Sequence, residues 1–70
     1  MLDKIKELTL LGYIVNFQIK SKSLSVTLTW NKGQLGEISN CQVIDIGSDV
    51  DSVANCLDFQ YKKLNAITHL

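Results

Sequence analysis

Residues 23–30, SLSVTLTW, alternate polar and apolar without a break. Successive side chains of a strand point to opposite faces, so Leu24, Val26, Leu28 and Trp30 share one side and Ser23, Ser25, Thr27 and Thr29 the other. A helix turning about 100° per residue would scatter that apolar set around its circumference. Just upstream, Tyr13, Val15, Phe17 and Ile19 share one parity, while Asn16 and Gln18 share the other with Ile14. Only KSKS, residues 20–23, separates the two runs, which predicts an antiparallel hairpin. Its apolar side needs a cover. Its Ser/Thr side reads as the wet face of a one-sided sheet.

Two amphipathic segments can supply the cover. In LDKIKELTLLG, Leu2, Ile5, Leu8 and Leu11 recur every three residues, and Gly12 stands where a helix ends with positive φ. The stretch from Gly47 onward reads as a longer helix, with Ser48 as N-cap and Asp49 and Asp51 favoured by the helix dipole. Its apolar arc is Val50, Val53, Ala54, Leu57, Tyr61 and Leu64. Between hairpin and helix, residues 34–46 predict a third antiparallel strand. Ile38, Ile44 and Ile46 oppose Leu35, Cys41 and Val43 in parity, which calls for a bulge near Ser39–Asn40. The order α-β-β-β-α then implies a two-layer α+β sandwich: a three-stranded antiparallel sheet with both helices on one face.

At 70 residues the chain has room for a single domain over 1–70. So short a chain buries only roughly 60% of its unfolded surface, so a partner subunit would help its stability. Acidic and basic residues balance at seven each, and every base is a lysine. Neutral charge and missing arginine argue against phosphate recognition. Two cysteines are too few for a disulfide scaffold, so Cys41 and Cys56 are read as small buried hydrophobes in a reduced cytoplasmic setting. No apolar run is long enough to span a bilayer, and no signal peptide is evident.

The pattern is poor in chemistry. Nucleophilic and acid–base catalysis need a base beside a nucleophile, held by a third group. The single His, His69, lies one residue from the end of the chain, and the acids show no paired spacing. A small nuclease toxin would need His69 ordered beside a carboxylate. Two cysteines and a distant His lack the close spacing of a structural zinc site. No catalytic residues, metal or cofactor are therefore assigned, and the chain is read as non-enzymatic.

The double-stranded-RNA-binding domain shares the α-β-β-β-α order, but Ser48, Asp49, Val50 and Asp51 stand where its lysine cluster would meet phosphate. HicA toxins share the order too, with a strand-borne Gly-Ser-His that is missing here. The opening residues Ile5, Lys6, Glu7, Leu8, Leu11, Gly12, Tyr13 and Val15 resemble small accessory proteins of phages and prophages in low-GC bacteria. The layout is similar to that of some anti-CRISPR inhibitors. That resemblance implies a protein-binding inhibitor or adaptor of a host protein such as a defence nuclease. Unlike acidic DNA mimics, this neutral chain would act by blocking a protein surface.

The contact surface expected for such a partner, or for a second copy, lies on the second helix. There Cys56, Phe59, Lys63, Ile67 and Leu70 fall off the core arc. The alternative is a small nucleic-acid binder using Lys20, Lys22 and Lys32 around the hairpin ends.

Overall fold

A computed structural model describes residues 2–68. The elements run α1 (Leu2–Leu10), β1 (Tyr13–Lys20), β2 (Ser23–Trp30), β3 (Ile38–Asp45) and α2 (Val50–Thr68). The strands form one antiparallel sheet in the order β1-β2-β3, as the alternation predicts. Tyr13 faces Trp30 and Lys20 faces Ser23, so the inner rows are Tyr13–Trp30–Ile38, Val15–Leu28–Asn40, Phe17–Val26–Gln42 and Ile19–Leu24–Ile44. The core forms where helices meet these rows, with Leu8, Tyr13, Val26, Leu28, Leu57 and Leu64 buried together. Both helices therefore lie on one face of the sheet.

β3 is regular. Its pairing with β2 holds one register from Trp30–Ile38 to Ser23–Asp45, so the bulge expected near Ser39–Asn40 is not there. The strand starts at Ile38, leaving Leu35 fully exposed in the preceding loop. Cys41 and Val43 point to the open outer face, and Cys41 is exposed rather than a buried hydrophobe. The parity was hidden because two inward positions, Asn40 and Gln42, are polar.

Gly12 closes α1. Its N–H donates to Thr9 O at 3.1 Å, and its φ of +95° lies in the region open to glycine. Its carbonyl accepts from Asn31 N–H at 3.3 Å, which ties the helix end to the far end of β2. A Cβ here would meet Trp30 Nε1 at 3.6 Å, an ordinary contact, so conformation and not space demands glycine. Gly12→Ala is expected to cost about 1–2 kcal/mol. In a chain this small that lowers the thermal midpoint by roughly 5–15 °C, read by circular dichroism.

α2 begins one residue later than the sequence suggests. Asp49, not Ser48, is the cap: its Oδ1 accepts the Ser52 N–H at 2.8 Å. Hydrogen bonds from the Ser52 hydroxyl and N–H hold the Asp49 carboxyl below its ordinary value of 3.8. A carboxylate with a depressed folded pKa adds stability above its unfolded pKa, and loses that contribution as pH falls through the folded one. Asp49→Asn keeps a capping oxygen without the titration. Its urea midpoint is expected to fall less than that of the wild type on acidification below pH 3.8. Equal losses in both chains would count against this cap as an acid-sensitive element.

Candidate protein-binding surface

The two helices divide the sheet between them. α2 packs on β2 and β3, and α1 on β1. Lys4 Nζ of α1 donates to Asp58 Oδ1 of α2 at 2.5 Å and joins the helices side by side. The hydrogen bond to Asp58 raises the Lys4 pKa against a smaller opposing effect of burial. One long flank of α2 thus faces α1, and the opposite flank overhangs β3.

What α2 buries differs from the apolar arc. Val53, Cys56, Leu57, Gln60 and Leu64 are buried, whereas Val50 is 58% exposed and Tyr61 only half-buried. At 100° per residue the buried face is turned by roughly 45° from the arc's centre. A small polar seam accounts for the turn. Gln60 is fully buried, and its Nε2 donates to Val26 O of the central strand at 3.0 Å. The same nitrogen lies 3.3 Å from Cys56 Sγ, whose thiol donates to Gln42 Oε1 at 3.2 Å. Gln60 Nε2, Cys56 Sγ and Gln42 Oε1 thus form one inward-facing polar chain between α2 and β3, while Gln60 Oε1 is left without a partner among the described residues. A reading that sorts by hydropathy places them outside.

Cys56, expected on the contact stripe, is therefore a core residue at 5% exposure. Phe59 at 60% and Ile67 at 50% remain open, with exposed Lys63 between them. On the helical wheel these three lie on the flank away from Asp58, and hence away from α1, above the β3 side of the sheet. Below them β3 is an edge strand, unpaired beyond β2 among the described residues. Leu70 and His69 lie outside the described residues.

The lysines are not gathered. Lys20 ends β1 and Lys22 sits in the adjoining turn, whereas Lys32 follows Trp30 at the opposite end of β2. An eight-residue strand separates the two groups, roughly 25 Å of chain. Among the described residues, no three His, Cys, Asp or Glu side chains converge to hold a metal ion, and no helix is long and apolar enough to cross a membrane.

A feature the sequence reading missed sits at the Tyr13 end of the sheet. Leu11, Tyr13, Trp30, Tyr61 and Asn65 line a cleft of about 230 Å³. Tyr13 and Tyr61 meet edge-to-face, with centroids 5.4 Å apart. Burial pushes the Tyr13 hydroxyl pKa up against the opposing effect of a Thr68 hydrogen bond. Tyr13, Tyr61 and Trp30 all have core parity, so no sequence signal separates lining a cleft from filling one.

The chain matches no protein-family model, and neither the curated proteins nor the solved structures contain a significant match to it.

Proposed function

We propose that this protein is a non-enzymatic protein-binding module that acts as an inhibitor or adaptor by covering a surface of its partner. The observation carrying the reading is the α2 flank over β3. There Phe59 and Ile67 stand open on the flank above β3, an edge strand that no other strand pairs beyond β2 among the described residues. Aromatic and aliphatic anchors beside free N–H and C=O groups are what strand-addition and helix-face recognition use. Lys63 between them adds a positive charge that would pair with a partner carboxylate. The resemblance of the chain's opening to phage accessory proteins, and of its layout to some anti-CRISPR inhibitors, supports a host protein such as an RNA-guided defence nuclease as the partner.

The test is crosslinked capture from host lysate with wild type, Phe59→Asp and Ile67→Asp, with Val43→Asp on the outer sheet face as control. All three positions are exposed, so the variants are expected to fold. Wild type and Val43→Asp should retain one shared partner, and the α2 variants should retain roughly tenfold less. Equal capture by all four chains, or capture by none, overturns the reading.

A further inference from the structure

We infer that the free edge of β1 pairs with β1 of a second copy of this chain about a two-fold axis, joining two three-stranded sheets into one continuous sheet. The inference stands apart from the α2 flank, which lies on the opposite side of the sandwich.

β1 is an edge strand of eight residues. Natural edge strands are usually blunted by a bulge, a proline, an early charge or short length. β1 runs in unbroken register with β2, contains no proline or glycine, and reaches its first charge only at Lys20, its last residue. Its core-facing parity is also half bare. Tyr13 is buried and Val15 half-buried, whereas Phe17 and Ile19 are 39% and 67% exposed on the same face. The helix layer stops short of them.

A second copy answers that deficit reciprocally. Antiparallel pairing centred on Phe17 sets Phe17 against Phe17 of the copy and Val15 against Ile19, so the covered end of one strand lies beside the bare end of the other. On the outer face, Asn16 meets Gln18 and Lys20 meets Ile14. No like charges stand opposite. Because the pairing is isologous, both halves gain the same contacts at once.

The helix layer fits the same axis. A two-fold normal to the sheet keeps the helices of both copies on one face. On α1, Lys4 lies to one side of buried Leu8 and reaches α2. Exposed Thr9 and Leu2 lie to the other side, with Ile5, half-buried against the core, between them and Leu8. This flank includes an apolar depression lined by Ile5, Lys6, Thr9 and Leu10. Each such flank would lie across the seam from the bare Ile19 end of the other copy's β1.

Sedimentation equilibrium at about 100 µM, where an interface of micromolar affinity is saturated, tests the inference. Wild type should be a dimer. Ile19→Lys sets a charge against Val15 of the copy and should weaken dimerisation roughly a hundredfold. Because Ile19 is exposed in the single chain, the variant should keep its circular dichroism spectrum. Phe17→Cys in a Cys41→Ser background should form an oxidised dimer, since the axis brings position 17 against itself. Phe59→Asp should remain dimeric. A monomeric wild type overturns the inference. So does an Ile19→Lys variant that dimerises as tightly as wild type, or a dimer abolished by Phe59→Asp.

Discussion

Leu57→Ala is expected to leave the chain on the verge of unfolding. Leu57 is fully buried in the middle of α2, where it closes the core against the sheet. Removing a buried leucine forfeits its transfer free energy and leaves a cavity that collapses only in part, at about 2–5 kcal/mol. A domain of this length has roughly 4–10 kcal/mol of stability in all. With a urea dependence near 1 kcal/mol per molar, the midpoint should fall by roughly 2–5 M. Val50→Ala is the informative control. The apolar periodicity places both residues on the same face, yet Val50 is exposed, so its truncation should cost no more than about 0.5 kcal/mol. Comparable losses in the two variants would mean that the buried face of α2 is the apolar arc after all.

Gln60→Glu is expected to produce a large, pH-dependent loss. Gln60 is fully buried, and its Oε1 has no hydrogen-bond partner, while its Nε2 holds Val26 O. A carboxylate there would lose the donor to Val26 and place a charge in the core without a counterion. Burial of this kind raises a carboxyl pKa by up to ~3–5 units, so the cost at neutral pH is on the order of 4 kcal/mol or more. The sign follows from linkage. A raised folded pKa means the native state binds the extra proton, so stability is recovered as pH falls below the folded value and lost as pH rises through it. Gln60→Met separates charge from volume. It removes the orphaned oxygen along with the donor, and a central-strand carbonyl keeps its ladder partner. Gln60→Met should therefore lie within about 1 kcal/mol of wild type in either direction. A Gln60→Glu variant as stable at pH 7 as at pH 5 would show that position 60 reaches water.

The two cases show where the sequence was legible. β1 and β2 were plain because every inward residue is apolar and the period of two has no competing reading. The Gly12 stop was legible as well, since a positive φ after an apolar helix selects for glycine. Asn40 and Gln42 obscure β3, and the apolar arc of α2 lies roughly 45° from its buried face because Gln60 is polar and Cys56 stands off that arc. Cys56, expected on the contact stripe, is buried, whereas Phe59, Lys63 and Ile67 are exposed. The lysines at the two ends of the hairpin were near one another in sequence but not in space.

By itself the sequence determined the element order, the antiparallel hairpin and the side of the sheet that would be dry. Those follow from local periodicity and turn chemistry, which act over a few residues. Only the tertiary structure decided which polar groups are inside, which apolar ones are left out, and where the helix layer ends. A glutamine is a core residue when a backbone carbonyl, here Val26 O, lies within reach of its amide. An isoleucine of core parity is a surface residue when no helix extends over it, as at Ile19. Both outcomes depend on what stands opposite in space, and no window of sequence contains that information.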